Sequence, residues 1–262
     1  MQVLLGFVIA LAISLTGVGA GSMTTPLLIL LLGVSPATAV GTALMFGAIV
    51  KVASVPMYAL RRQINLRVLW LLLAGGLPGV IIGAFLLDRM KRGPYNNVLY
   101  AALGSLIVAS AAFHLYRVFR PKPRPSHGNR SGLLPFFAFP IGAEVGFSSA
   151  GAGALGSLLL LGLTPLTTAE VIGTDLCFGL GVSTVGGLIQ FGAGNYDAAL
   201  LLKLLVGGLC GTLTASLIAG RIAQRPLRVG LLLLLILLGC QLALHAHPIA
   251  AEIQAAVQAS SR

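Results

Sequence analysis

The chain has 262 residues, of which 57% are hydrophobic and 9% are charged. Soluble domains usually contain about 25% charged residues, so this composition excludes a water-covered surface and indicates that most of the surface faces lipid. The formal net charge of +11 comes from Lys and Arg in loops and at the ends of apolar stretches, with Lys51 and Lys203 as exceptions. This distribution is typical of membrane topology. The sequence contains no nucleic-acid-binding module, and nucleic acid is not expected as a partner.

Six apolar stretches have the length of about 20 residues that a helix needs to cross a bilayer. They cover residues 37–60, 67–87, 97–116, 168–192, 198–220 and 228–246. Because apolar stretches recur along the chain, the first of them is assigned to the fold and not to a secretory signal. The expected fold class is an all-α integral membrane protein, embedded in a lipid bilayer by several crossings.

Two further apolar regions are interrupted by small residues. Residues 2–32 are apolar except for a glycine-rich break at 17–22, and residues 133–163 are apolar except for a second break at 148–153. Glycine-rich segments break helices, and each region therefore predicts a broken helix or a re-entrant hairpin.

One constant offset relates the two interrupted regions. Gly151 lies 132 positions after Gly19 (151 − 19). The same offset joins further identical residues that are not leucine: Gly21 with Gly153, Gly41 and Thr42 with Gly173 and Thr174, Phe46 with Phe178, Gly75 and Gly76 with Gly207 and Gly208, and Arg89 with Arg221. Apolar helices match by chance mainly through leucine, so these identities in a single register indicate a duplicated unit.

The duplication divides the chain into two membrane repeats. The first covers residues 1–116 and the second covers residues 133–246. Residues 117–132 are rich in Arg, Lys and Pro, which predicts a basic cytoplasmic linker. Residues 247–262 form a short tail.

Loop charges indicate that the two repeats are inverted relative to each other. The loop with Arg61, Arg62 and Arg67 is basic, whereas the equivalent loop at 195–197 contains no basic residue. Basic loops stay on the cytoplasmic side, so the two loops are expected on opposite sides of the membrane. Segment 88–92 carries three basic residues, falls on the outside in this arrangement and is the exception to it.

The two glycine breaks are the expected substrate site. Interrupted helices persist in membranes where they line a polar cavity, and paired breaks in two repeats indicate the central site of a transporter. The expected substrate-binding residues are Gly19, Gly21, Ser22, Thr24, Thr42, Ser148, Ser149, Gly151, Gly153 and Thr174. In this interpretation Gly19 and Gly151 face each other across a polar cavity. The alternative is tight helix packing through small residues, which seldom includes so many hydroxyl groups.

Ionisable residues inside apolar stretches are costly and usually functional. Glu144 lies just before the second break and Asp175 lies in the stretch that follows it, so both are expected to take part in proton coupling. Lys51 is expected to act as a counter-charge or as an anion contact. Glu170 precedes Asp175 near a predicted helix start, where stabilisation of the helix N-terminus explains it.

The order of these motifs resembles the sulfite exporter TauE/SafE family of membrane transporters. In the first repeat a glycine-rich break is followed by Pro26, by Ala-Val-Gly-Thr at 39–42 and by a Gly-Gly helix. In the second repeat the order recurs at 151–153, 172–174, 194–197 and 207–208. The resemblance extends to about Ala246. The sequence departs from the family pattern in a shorter glycine run and in Ala43 and Asp175, which stand where the family has a serine after Gly-Thr.

The resemblance implies movement of small sulfur-containing or organic anions, such as sulfite, sulfoacetate or thiosulfate, across the cytoplasmic membrane. The expected function is secondary transport of a small anion, coupled to protons or driven by the anion gradient, by a monomer or a homo-oligomer. A membrane scaffold or assembly protein without transport activity is the alternative. The sequence shows no nucleophile–base set, no phosphate-binding loop and no metal-ligand spacing, so neither an enzyme nor a metal or cofactor site is expected.

Overall fold

The computed structural model describes residues 2–16, 20–91, 96–119, 131–151, 154–218, 226–227 and 229–244. The secondary structure of these residues is helical and includes no strand. The helices are α1 (Gln2–Thr16), α2 (Ala20–Leu32), α3 (Pro36–Leu60), α4 (Leu66–Lys91), α5 (Asn96–Phe119), α6 (Leu134–Ser148), α7 (Ala154–Leu163), α8 (Thr168–Gly192), α9 (Ala198–Ile218) and α10 (Val229–Leu244). A 3-10 turn at Ser131–Leu133 precedes α6.

Among the described helices, six are long and apolar enough to cross a bilayer. They are α3, α4, the Val98–Tyr116 part of α5, the Ser131–Ser148 segment that contains α6, α8, and the Ala198–Ala215 part of α9. Five of the six predicted spans are confirmed, at α3, α4, α5, α8 and α9, and the sixth, residues 228–246, corresponds to the shorter α10. The Ser131–Ser148 segment reaches 18 residues because the 3-10 turn extends α6. The chain is therefore built as a multi-pass membrane protein.

The outer surface of the bundle is apolar, as the composition requires. Large hydrophobic side chains are exposed along the described helices, among them Trp70 at 69% and Leu213 at 67%. In a soluble protein such a surface would aggregate, whereas in a bilayer it is solvated by lipid tails.

The second predicted break interrupts the helices, and residues 17–19 of the first lie outside the described residues. The 15-residue α1 and the 13-residue α2 are roughly 22 and 20 Å long at 1.5 Å per residue, which is short of the roughly 30 Å hydrocarbon core. The second break turns through Ser149 at φ 60° and Gly151 at φ 90°, both left-handed. Three residues predicted to belong to the first break, Ala20, Gly21 and Ser22, lie in α2.

Helix contacts recur at the 132-residue offset with the two repeats exchanged. An added Cβ on Gly75 of α4 would lie 1.9 Å from the carbonyl oxygen of Pro135 of α6. An added Cβ on Gly207 of α9 would lie 1.9 Å from the carbonyl oxygen of Val3 of α1. These are equivalent residues, so each first helix packs closely on the Gly-Gly helix of the other repeat.

Equivalent helices also pack against each other, and they run in opposite directions. In the pair α3 and α8, Gly41 lies against Asn195, just beyond the end of α8, whereas Lys51 lies against Gly179 in the middle of α8. In the pair α5 and α10, Gly104 lies against Ala243 and Gly239 lies against Val108. In both pairs the residue number rises along one helix while it falls along its partner.

The α3–α4 and α8–α9 turns have the same geometry. Arg62 has φ 52° and its equivalent Gly194 has φ 71°. Each next helix is then capped by the side chain three residues after that position: Asn65 Oδ1 accepts from the N–H of Val68, and Asp197 Oδ1 accepts from the N–H of Leu200. The duplicated sequence therefore builds duplicated turns, with arginine in the left-handed position of one and glycine in the other.

Helix ends explain two further features of the sequence. Thr167 and Glu170 form a reciprocal capping box at the start of α8, which confirms the N-terminal stabilisation expected of Glu170. Helix α5 continues to Phe119, three residues into the predicted linker, because Val118 packs against the core. The rest of the linker that precedes Ser131 lies outside the described residues, as does the tail after Leu244.

Candidate substrate site

The second break contacts the first turns of α2 through Ser149. Its hydroxyl donates to the carbonyl oxygen of Gly21 in α2 at 3.1 Å and lies 2.5 Å from the hydroxyl oxygen of Thr25. Since the Ser149 proton is engaged with Gly21, Thr25 is the donor in the second bond. Both hydroxyls are buried, Thr25 at 0% and Ser149 at 4% exposure. The two repeats are therefore joined by a buried polar contact at the breaks.

Backbone contact at this crossing requires a glycine at position 21. An added Cβ on Gly21 would lie 1.8 Å from the carbonyl oxygen of Ser149, far inside any real contact. A larger residue would push the two breaks apart. The predicted partners Gly19 and Gly153 lie outside the described residues, so the predicted meeting of Gly19 with Gly151 stays a prediction.

The second break is organised by its own side chains. Ser148 donates to the carbonyl oxygen of Glu144 at 2.9 Å and accepts from the N–H of Ala150 at 3.2 Å. An added Cβ on Gly151 would lie 3.0 Å from the Glu144 carboxyl. Ser110 of α5 hydrogen-bonds this carboxyl, whose Oε1 has no partner among the described residues.

Asp175 is the most deeply buried carboxylate of the described chain, at 4% exposure. Its Oδ2 accepts from the Ser157 hydroxyl at 2.6 Å, and the backbone of Ser157 supplies a further hydrogen bond. Its Oδ1 has no hydrogen-bond partner among the described residues and lies 2.0 Å from the place that a Cβ of Gly156 would occupy. Asp175 therefore sits at the first turn of α7.

Lys51 lies in the centre of the α3–α8 contact. Its Nζ donates to the carbonyl oxygen of Gly179 at 3.2 Å and to the hydroxyl of Ser183 at 2.8 Å. Lys51 and Ser183 are equivalent positions of the two repeats, and the Lys51 and Asp175 charges attract each other. A cation and a carboxylate thus share the buried centre of the bundle.

Two of the predicted binding residues support helix ends. The Thr42 hydroxyl accepts from the N–H of Asp197 at 3.2 Å, and the Thr174 hydroxyl accepts from the N–H of Asn65 at 3.0 Å. Each threonine thereby holds the turn of the other repeat. Thr24 is fully buried in α2, and Ser22 is half-buried one turn before Thr25.

A polar cluster that the sequence interpretation missed ties the end of α4 to the α8–α9 turn. Lys91 donates to Asn195 Oδ1. Asn195 Nδ2 donates to Gln190 Oε1 at 2.7 Å and to Asp88 Oδ1 at 3.4 Å. Asp88 and Lys91 belong to segment 88–92, which is the exception to the loop-charge pattern. Both side chains bond Asn195, so these two charges have a structural role in this contact.

Ser157 and Ser183 were also missed as site residues. Each is a single serine in an apolar stretch, which by itself indicates nothing. The 132-residue offset is the signal that could have found them, because it places Ser157 at the position of Thr25 and Ser183 at the position of Lys51. No group of three metal-ligating side chains converges within the described residues.

Comparison with known proteins identifies the family of this chain. A model of the family described as "Sulfite exporter TauE/SafE" matches residues 2–242. The chain belongs to this family. Two Bacillus subtilis (strain 168) proteins are similar to this TauE/SafE chain along most of their length. "Probable membrane transporter protein YjnA" is 28% identical over 249 residues, which cover 92% of this chain and 98% of that protein.

The second relative, "Probable membrane transporter protein YdhB", is 25% identical over 216 residues, which cover 80% of this chain and 85% of that protein. No solved structure matches the chain. The family assignment makes this TauE/SafE chain a member of a family of membrane transporters, and it includes both breaks and both turns described above.

Proposed function

We propose that this protein is a secondary transporter of small anions in the cytoplasmic membrane, and that its substrate site lies where the two glycine breaks meet. The observation that carries the proposal is the Ser149 hydroxyl of the second break, which donates to the Gly21 carbonyl at the start of α2. A buried polar crossing between broken helices is the usual location of a transporter's central site. Tight packing alone would not need the buried hydroxyls of Thr25 and Ser149.

Sulfite, thiosulfate and sulfonates are the substrates that fit these groups best. Their oxygens accept several hydrogen bonds at once, and the site offers hydroxyls and the N-terminal ends of α2 and α7. The first N–H groups of a helix have no partner within it and attract anions. Lys51 is the buried cation of the described bundle, and it would balance the charge of the anion.

Proton coupling follows from the two carboxyls near the breaks. Asp175 and Glu144 each have one oxygen without a partner among the described residues. A proton that travels with the anion reduces the charge moved against the membrane potential, which costs about 2.3 kcal/mol per charge per 100 mV. We assign the coupling proton to Asp175, with Glu144 as the second candidate.

We also propose that the two repeats are inverted in the membrane, about an axis in the membrane plane. Two observations support this: the equivalent helices α3 and α8 run in opposite directions, and so do α5 and α10. Repeats related by an axis along the membrane normal would have parallel equivalents. Inversion lets the bundle open to either side by exchanging the conformations of its halves.

Transport by the purified protein in proteoliposomes tests the proposed function. Uptake of sulfite, thiosulfate and methanesulfonate is measured with and without a proton gradient. We expect uptake of at least one anion, and an about tenfold lower rate in Ser149→Ala, because a lost buried hydrogen bond is worth about 1 kcal/mol or more. Ser54→Ala is the matched control, because Ser54 bonds only within its own helix, to the Val50 carbonyl.

If the wild-type protein moves none of the three anions, with or without a proton gradient, the proposal of anion transport is wrong and the alternative of a membrane scaffold is favoured. If Ser149→Ala and Ser54→Ala transport equally well, the site lies elsewhere than at the meeting of the breaks.

Cysteine labelling tests inversion. Leu66 and Ala198 are equivalent residues at the starts of α4 and α9, and both are exposed. Leu66→Cys should react with an impermeant thiol reagent only from the cytoplasm, and Ala198→Cys only from outside. The three native cysteines are first replaced. Labelling of both positions from one side would contradict inversion and leave the duplication intact.

A further inference from the structure

We propose that the first turn of α7 is an anion-binding site that Asp175 occupies as an internal anion, and that the substrate anion displaces this carboxylate when Asp175 takes up a proton. This inference rests on the proposed function, since it gives the mechanism by which one site handles both the anion and the proton.

The first step is the position of Asp175. Ser157 is the fourth residue of α7. Its hydroxyl donates to the Asp175 carboxylate at 2.6 Å, and its backbone supplies a second hydrogen bond. Gly156, one residue earlier, has no side chain, and Asp175 Oδ1 occupies the space that a Cβ there would fill. A carboxylate near the N-terminal turn of a helix is stabilised by the positive end of the helix dipole.

The second step is the incomplete binding of the carboxylate. Asp175 is 4% exposed, yet Oδ1 has no hydrogen-bond partner among the described residues. A buried unpartnered oxygen of a charged group is unfavourable. The Ser157 hydroxyl and backbone therefore hold Asp175 through one oxygen only, and both donors become available to an anion when the carboxylate leaves.

The third step is the link to the breaks. Helix α7 begins directly after the second break, and Leu155 donates to the carbonyl oxygen of Gly151 at 3.4 Å. An anion at the α7 turn would thus touch the same segment whose Ser149 contacts α2. The equivalent turn of α2 holds no acid: Thr25, at the position of Ser157, bonds Ser149, and Ala43 stands where Asp175 would be.

The fourth step is charge. The elements packed against α8 are α3, α4, α6 and α7. Helix α3 contributes Lys51, α6 contributes Glu144, and α7 contributes no titratable side chain; the charges of α4 lie at its two ends. If Asp175 stays ionised, an incoming anion meets its negative charge. Once Asp175 is protonated, Lys51 remains to balance the anion, so proton uptake and anion binding favour each other.

The occupied turn is tested first without any substrate. Infrared spectra of the protein in lipid are recorded as a function of pH, and the carboxyl band that is absent in Asp175→Asn is assigned to Asp175. In Ser157→Ala the midpoint of this band should shift measurably, since the lost hydroxyl donates directly to the Asp175 carboxyl. Ser157→Thr should restore the wild-type midpoint, and Ser54→Ala should not move it. If Ser157→Ala leaves the midpoint of the band unchanged, Asp175 does not occupy the first turn of α7.

Displacement is tested with thiosulfate, which stays fully ionised across the neutral range. Its affinity for the wild type, measured by calorimetry, should fall about tenfold per pH unit as Asp175 ionises, whereas Asp175→Asn should bind it with nearly constant affinity. Asp175→Asn with the pH dependence of the wild type would refute displacement. If neither protein binds thiosulfate, sulfite or methanesulfonate while Ser157→Ala still moves the band, the proposed anion transport is wrong and the occupied turn stands.

Discussion

The two repeats differ less in their backbone contacts than in their buried charges. Gly75 and Gly207 pack on equivalent carbonyl groups. Where the second repeat has Asp175, however, the first has the neutral Ala43. The shared residues are those that bring helices close together, and the acid stands at a position that the scaffold does not need. The close helix contacts therefore depend on residues that the repeats share, whereas the buried acid stands where they differ.

The same comparison holds at the two broken elements. In the first, the Thr25 hydroxyl joins the opposite break through Ser149. In the second, the equivalent Ser157 hydroxyl holds a carboxylate. One structural position, a hydroxyl in the first turns of the helix that follows a break, therefore serves inter-repeat contact in one copy and charge binding in the other.

The largest effect is expected for Gly21→Val, which tests the meeting of the breaks. The added side chain overlaps the carbonyl oxygen of Ser149, so the breaks must separate and transport should fall below detection while membrane insertion persists. Gly162→Val is the matched control, because Gly162 lies in the other broken element and has nothing near its Cβ position. Uptake in proteoliposomes and yield in the membrane fraction are measured. Normal transport by Gly21→Val would show that the crossing is dispensable.

A smaller effect is expected for Lys51→Met, which removes the buried cation from the centre. The variant leaves the buried Gly179 carbonyl and the Ser183 hydroxyl without their donor, and because leaving a buried polar group unsatisfied costs about 1–3 kcal/mol, the thermal unfolding midpoint in detergent should fall by several degrees. Lys51→Met combined with Asp175→Asn should recover part of this loss, since the double variant leaves no unbalanced charge. Lys203→Met, at an exposed lysine, is the control. Additive losses in the double variant would mean that the two charges act independently.

The spans and breaks were predictable because hydropathy and glycine content depend on local sequence alone. The contacts at the site were not, because they join residues far apart in the chain. Thr42 and Thr174 follow glycines in a family-like motif and suggested substrate contacts, yet each also accepts a backbone N–H from the other repeat's turn. Ser157 could have been found only by applying the offset to Thr25 and then knowing that α7 packs on α8.

An effect smaller than that of Lys51→Met is expected where the α3–α4 and α8–α9 turns differ. Asn195 is fully buried and bonds Lys91, Gln190 and Asp88, whereas its equivalent Gln63 is half-buried. Asn195→Ala should cost about 2 kcal/mol because it removes the Nδ2 donor from the buried Gln190 side chain, and Gln63→Ala should cost less than about 0.5 kcal/mol. Thermal unfolding in detergent measures both. Equal losses would mean that the cluster around Asn195 adds nothing to its turn.

The smallest and most symmetrical effect is expected for Thr42→Val and Thr174→Val. Both hydroxyls are buried and accept one backbone N–H from the turn of the opposite repeat, and valine keeps their shape. Each variant should lose about 1 kcal/mol of stability, and the two losses should agree because the geometry is duplicated. If either threonine also binds substrate, its variant will raise the substrate concentration needed for half-maximal uptake, which a purely structural hydroxyl would leave unchanged. Kinetics and thermal unfolding of the same two variants therefore separate the predicted binding role from the capping role. An equal stability loss with unchanged kinetics in both would remove Thr42 and Thr174 from the substrate site, and a shift in one alone would show that the repeats diverge there too.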